Sequence, residues 1–229
     1  MDKSPEKIQS MFDEIANRYD LLNHLFTFNF DKKWRRDIVR KIERDKVTKD
    51  VLLDLASGTG DLTMELASLN PNKLYSCDIS LKMLEFQRKK LINKNVIISQ
   101  ADAENLPWDN ESIDIVTIGF GIRNFENLNN ALIEIFRVLK KNGLLIILEM
   151  FSQPKMKKGI YNIYFSKLIP AIGNRISKSN YAYNYLFNSV NGFYSPDELI
   201  KFCKELNFKL YDRKNNFIEL VNTLYFRKK

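Results

Sequence analysis

Val51-Leu52-Leu53-Asp54-Leu55-Ala56-Ser57-Gly58-Thr59-Gly60-Asp61 changes its character halfway along. Its first five residues make a short apolar run suited to a strand buried on both faces, as in a parallel sheet. The run gives way to a turn holding Gly58 and Gly60, where the chain bends sharply and a ligand can approach the backbone. Over 61–69 the apolar residues recur with a helical period. The same alternation continues downstream: strands are expected at 73–77, 95–100, 113–118 and 143–149, with helices over 80–90 and 127–140, the latter stopped by Asn142-Gly143. Strands alternating with helices argue for a parallel, doubly wound sheet.

Upstream, Ser4-Pro5 reads as a helix start. Ile8, Met11, Phe12, Ile15, Tyr19 and Leu22 follow at helical spacing, and Trp34, Ile38 and Ile42 mark a further helix over 31–45. Near the end, Ser195-Pro196-Asp197-Glu198 starts another helix. Strands at 208–212 and 217–226 follow, and Arg213-Lys214-Asn215-Asn216 is expected to join them as a hairpin. With no internal repeat, the 229 residues read as one α/β domain. Its parts are an N-terminal helical extension (1–46), a ligand-binding core (47–150), and a last part (151–229) of substrate-side helices and final strands.

Composition removes several classes. Two cysteines, Cys77 and Cys203, and one histidine, His24, supply neither a disulfide framework nor a zinc site of the usual ligand count, so no metal is expected. No leader pattern is visible at Met1, and no apolar run approaches the roughly 18 residues of a membrane span, so a cytoplasmic protein is expected. The net charge of +8 comes from lysines spread over the whole chain, without a basic run carrying interleaved aromatics, so no nucleic-acid partner is expected.

The turn itself narrows the ligand. A dinucleotide fingerprint needs a third glycine where Thr63 stands, and no Gly-Lys-Ser or Gly-Lys-Thr of a phosphate loop occurs. Asp54 and Asp61 flank the turn with carboxylates that would repel a pyrophosphate and suit a cation. Asp78 ends the second strand, where a carboxylate accepts hydrogen bonds from a ribose diol. Asp102 and Ala103 follow the third, placed to read an adenine edge, and Gly119 ends the fourth and leaves room for a ligand. A nucleoside without phosphates and with a positive sulfur, S-adenosylmethionine, meets these conditions. Phe120-Gly121-Ile122-Arg123-Asn124 replaces the proline-containing motif of enzymes that methylate exocyclic amines of bases, which again argues against nucleic acid.

At this point the chain resembles the ubiquinone/menaquinone biosynthesis C-methyltransferases, nearly end to end. The likeness rests on Met11-Phe12-Asp13-Glu14-Ile15-Ala16, Arg18-Tyr19-Asp20-Leu21-Leu22-Asn23, the 54–63 turn, Ala101-Asp102-Ala103-Glu104 with Leu106-Pro107, Gly121-Ile122-Arg123-Asn124, and Leu148-Glu149 with Phe151. It departs at Ser57, where the family more often has glycine, and in the tail around 188–196 and 215–227. The resemblance implies a Rossmann-like class I fold with a seven-stranded, mostly parallel sheet and an antiparallel C-terminal strand. It also implies cofactor contacts at Thr59, Asp78, Asp102, Ala103 and Gly119, and methyl transfer to a ring carbon of a polyprenylated quinol. The 20–25 segment points first to a naphthoquinol of the menaquinone route, and second to the benzoquinol route. Another small phenol or sterol as substrate, or a binding protein without turnover, are the competing readings.

On this reading Arg123 stabilises a developing phenolate, while Tyr19 and Asp20 close the site or steer the proton. His24, with no partner identifiable, is taken as non-catalytic. Tyr161, Tyr164, Phe165, Leu168, Ile169 and Ile172 form one helical stripe, and Tyr181, Tyr183, Tyr185, Leu186 and Phe187 crowd a second segment. With Lys155, Lys157, Lys158 and Lys167 nearby, these suggest peripheral contact with the inner face of an anionic membrane. The oligomeric state stays open, a homodimer included.

Overall fold

The structure, a computed structural model, describes residues 3–152, 185, 188–217 and 220–229. The aromatic stripe expected at 161–172, and the second segment apart from Tyr185, lie outside them. Three helices come first: α1 (Pro5–Ile15), α2 (Tyr19–Phe26) and α3 (Phe30–Arg44). Then β1 (Val51–Leu55), α4 (Asp61–Leu66), β2 (Lys73–Asp78), α5 (Leu81–Lys90), β3 (Ile97–Gln100), β4 (Ile113–Gly119), α6 (Leu128–Val138) and β5 (Leu139–Met150) alternate. Helix α7 (Pro196–Glu205) leads to β6 (Phe208–Phe217) and β7 (Val221–Lys228). Ser80 caps α5, its hydroxyl accepting from the Met83 amide at 3.1 Å, and Ser195 with Glu198 forms a capping box on α7.

The seven strands form one sheet in the order β3-β2-β1-β4-β5-β7-β6. Strands β1 to β5 are mutually parallel, and β7 runs against both β5 and β6. The winding reverses between β1 and β4, so a crevice opens beyond their C-terminal ends, where open α/β sheets bind ligands. Side chains alternate along each strand and divide the core in two. Leu52, Ile115, Ile146 and Leu148 pack under Trp34, Ile38 and Ile42 of α3 and Leu62 and Leu66 of α4. Leu53, Val116, Ile118 and Ile147 face the other way, toward Leu132 and Ile135 of α6 and Leu199 and Cys203 of α7.

Two boundaries differ from expectation. Asn142-Gly143 does not stop a helix: α6 ends at Val138, and Leu139 already pairs with Ile113 in the buried sheet. The register then jumps to Ile115 opposite Leu144, so the intervening residues bulge out of the ladder, with Asn142 at φ 64°. Burying Leu139 against α6 outweighs continuing the helix. Likewise 213–216 is strand, not turn: Arg213, Lys214 and Asn215 pair with Leu224, Thr223 and Asn222. These polar residues suit an edge strand, and two find acids on neighbouring helices, Arg213 with Asp197 and Lys214 with Asp37, both at 2.7 Å.

Asn142 tolerates its left-handed backbone where a β-branched residue does not. Asn142→Gly should therefore leave the urea midpoint nearly unchanged, and Asn142→Val should lower stability by about 1–2 kcal/mol.

Candidate functional site

The turn after β1 is held from two sides. Gly58 and Gly60 have φ of 55° and 86°, and a Cβ on Gly60 would lie 2.7 Å from Cγ of Gln87. Beside the turn, Asp78 accepts from the Gly58 amide at 2.8 Å with Oδ2 and from the Ser80 amide at 2.9 Å with Oδ1. Beneath it, Asp54 is fully buried and accepts from the hydroxyls of Thr63 (2.6 Å) and Thr117 (2.7 Å). Gln87 ties Thr63 to Ser76 and reaches Ser57, completing a buried polar web under the glycines. Burial pushes the Asp54 carboxyl up to about 6 and raises Asp78 as well.

Two non-glycine residues at the crevice share the left-handed backbone, Ala56 (φ 53°) after β1 and Phe120 (φ 62°) after β4. They border a cavity that also meets Leu55, Gly58, Asp78, Ile79, Met83, Ala103 and Phe125. Apolar walls with few convergent polar groups are the character of a small-molecule pocket. The titratable groups around it are Asp78, Asp102, Glu104, Glu126, Tyr19 and the amine of Lys3. Four carboxyls against one amine disfavour a pyrophosphate and suit a sulfonium nucleoside. Past Tyr19, Ala56 and Gly58 a smaller second chamber opens, lined by Arg35, Asp54, Thr59, Asp61 and Gly119. The structure thus brings Asp54, Gly58, Thr59, Asp78, Asp102, Ala103 and Gly119 around two adjoining spaces, with Gly60 capping α4 behind them. Asp102 also holds its own turn, accepting from the Glu104 amide at 2.9 Å.

The N-terminal helices roof the cavity. Lys3, Pro5, Ile8, Phe12 and Tyr19 all line it. Asp13 latches α1 to α5, accepting from the Ser80 hydroxyl at 2.5 Å. Asp20 does not reach the cavity: it accepts from the Thr59 hydroxyl and pairs with Lys90 at 2.7 Å, and Lys90 in turn pairs with Asp61 at 2.6 Å. Its carboxylate thus links α2 to the glycine turn and to the end of α5.

Arg123 lies just outside the cavity wall, on the 3-10 turn Ile122–Asn124. It is buried, with Nη1 2.5 Å from Glu149 Oε1 and donating to the Phe120 carbonyl at 2.8 Å. Burial works most strongly against its charge, but Glu149 together with Tyr19 and Tyr185 holds the guanidinium above its ordinary value. Tyr19 is raised by burial and pulled down by the nearby Arg123, so its hydroxyl stays protonated. The neighbouring Asn124 accepts from the Tyr185 hydroxyl at 2.9 Å.

His24 does have a partner, Asp31, at 2.8 Å from Nδ1. Asp31 also accepts from Thr27 and from Arg35, which lies 3.6 Å from Asp61. His24, Asp31 and Asp61 bring ligand-capable atoms within 4.8 Å of one another, and the Arg35 guanidinium already supplies positive charge to both carboxylates. Arg35 and Lys90 were not among the expected site residues. The i,i+4 spacing of Asp31 and Arg35 on the apolar side of α3 was the available sign; nothing local marked Lys90.

Sheet order, glycine turn and acid-lined crevice define a nucleoside-binding, Rossmann-like α/β domain. Solved S-adenosylmethionine-dependent methyltransferases share this fold. A putative one from Methanococcus maripaludis aligns with 100% of this chain and 95% of its own at TM-score 0.64 and 21% identity. Another, from Aquifex aeolicus, covers 83% and 89% at TM-score 0.60 and 14% identity. The chain belongs to the ubiE/COQ5 methyltransferase family, whose pattern it matches over residues 1–222. It is 39% identical to the demethylmenaquinone methyltransferase of Chlorobaculum tepidum, over 90% of this chain and 86% of that one. With the Thermotoga maritima protein of the same name identity is 38%, over 91% and 90%. With the ubiquinone/menaquinone biosynthesis C-methyltransferase UbiE of Geotalea daltonii it is 39%, over 89% and 88%.

Asp54 gives the site a pH signature. Its carboxyl binds a proton more tightly folded than unfolded, so between about pH 4 and 6 the folded state holds the extra proton and stability falls as pH rises. Asp54→Asn removes that slope. Measured by urea unfolding, the stability difference between variant and parent should shift by ~3 kcal/mol in the variant's favour from pH 4 to pH 7.

Proposed function

We propose that the protein transfers the methyl group of S-adenosylmethionine to a ring carbon of a polyprenylated quinol, with demethylmenaquinol as the acceptor. The observation that carries this is the crevice at the β1/β4 switch point, with its acidic surround, its apolar walls and the Asp78 carboxylate beside the glycine turn. Family membership and the names of the Chlorobaculum and Thermotoga relatives support the acceptor. The Geotalea name, which covers both quinones, favours as second reading the equivalent step on a benzoquinol.

Asp78 would accept from the ribose diol, and Asp102 with the Ala103 amide would read the adenine edge between apolar neighbours. Gly58, Thr59 and Gly60 let the ligand approach the backbone, Gly119 leaves it clearance, and Asp54 and Asp61 favour positive charge in the second chamber. When bound, S-adenosylmethionine supplies a methyl group on a positively charged sulfur, already electrophilic. The remaining work is alignment and raising the electron density of the acceptor carbon. Holding two reactants in line can lower a barrier by several kcal/mol, out of a ceiling of about 7–11.

Electron density rises as a quinol hydroxyl loses its proton. The protonated Tyr19 hydroxyl can donate a hydrogen bond to the resulting oxyanion, and the field of Arg123 favours its charge in a site sheltered from water. Glu149 fixes Arg123 in place, and Asp20, through Thr59 and Lys90, keeps Tyr19 over the glycine turn.

Calorimetry and turnover on a quinol with a short prenyl tail test this. S-adenosylmethionine and its demethylated product should both bind, and Asp78→Asn should weaken them about tenfold or more. Arg123→Lys keeps a cation opposite Glu149 but moves it, and should lower kcat at least about tenfold with donor affinity unchanged. Tight uptake of NAD or ATP with indifference to S-adenosylmethionine would sink the reading.

A further inference from the structure

Two large apolar side chains stand open to solvent at the turn between α2 and α3, Phe28 (51% exposed) and Phe30 (46%). The turn is clamped. The Thr27 hydroxyl donates to the Asn23 carbonyl and to Asp31, both at 2.7 Å, and the Asn29 amide donates to the His24 carbonyl at 2.7 Å. Within it Phe28 and Asn29 take left-handed backbone, φ 51° and 61°. A bulky aromatic residue adopts that conformation only at a cost.

The exposed charge on the first turns of α3 is basic, with Glu65 of α4 as the acid acting on Arg36. Lys32, Lys33 and Arg36 are exposed on the first turns of α3, whereas the acid among them, Asp31, is buried and engaged by Thr27, His24 and Arg35. Lys32 and Lys33 form no ion pair with any described residue. Beneath the turn, aromatic rings lead inward. Phe30 stacks on Trp34 at 6.4 Å, Trp34 meets Phe120 at 6.3 Å, and Phe120 lines the nucleoside cavity.

We propose that this turn is the surface by which the protein docks on an anionic lipid bilayer. Phe28 and Phe30 enter the headgroup layer, and Lys32, Lys33 and Arg36 meet the lipid phosphates. Apolar side chains ringed by cations are what such a surface attracts. A second copy of the chain fits worse, because a two-fold contact here would set like charges against each other. The aromatic path then joins the bilayer side of the protein to the site of chemistry. The use of this surface rests on the quinol reading, since a polyprenylated acceptor resides in the bilayer; its geometry does not.

The full-length chain would be floated with vesicles of phosphatidylcholine alone and of phosphatidylcholine mixed with phosphatidylglycerol, at low and high salt. Two variants accompany it. Phe28→Asn puts a residue that tolerates left-handed backbone in place of the exposed ring, and Lys32→Glu with Lys33→Glu reverses the charge. The parent should float with the anionic vesicles at low salt only. Phe28→Asn should bind at least about fivefold more weakly, and the charge reversal should abolish flotation. Both should keep the parent's turnover on the short-tailed quinol and lose it, in step with flotation, on a long-tailed quinol held in vesicles. A parent that does not float, or variants that float undiminished, would overturn the proposal. So would a dimer in solution that Phe28→Asn dissolves, since the patch would then serve self-association. Flotation following this pattern without turnover on the short-tailed quinol would uphold the docking surface and count against the quinol reading alone.

Discussion

The glycine turn after β1 stands because two carboxylates hold it, Asp78 through the Gly58 amide and Asp54 through the threonines below. Both acids are buried, and both would be unfavourable there without donors. The sheet makes the arrangement affordable: β2 ends where Asp78 reaches the turn, and Thr117 of β4 lies beside Asp54 because those strands pair in register. The turn therefore depends on the parallel ladder, and the crevice depends on the turn.

Charge is sorted around that crevice. Carboxyls dominate the cavity, while the buried cation Arg123 is kept behind the wall by Glu149. Such a pair contributes little to stability in itself but is costly to break. Here it keeps a positive field close to Tyr19 while the guanidinium itself stays out of the cavity, where it would repel a sulfonium. Arg35, by contrast, lines the second chamber itself, bracketed by Asp31 and Asp61.

The alternating strands and helices were legible because their apolar periods are strong, and the candidate site residues at strand ends were legible because topology puts strand ends together. What escaped was set by partners distant in sequence. Asn142-Gly143 carries the local signature of a helix stop, but burial of Leu139 beside Ile113 governs that boundary. Arg213 and Lys214 look like turn residues until Asp197 and Asp37 are seen across the edge strand. His24 had no visible partner because Asp31 lies beyond a left-handed turn that no glycine announces. Lys90 belongs to the site only because α5 ends beside α2.

The roof over the cavity is fastened differently from the floor. Strands below are locked by interleaved aliphatic side chains, but α2 is tied to the turn through Asp20, Lys90 and Asp61, groups still in touch with water. Small ions compete with links of that sort and leave hydrocarbon contacts almost untouched. The hold of α2 on the glycine turn therefore weakens as the ionic strength of the surroundings rises, while the sheet below is left untouched.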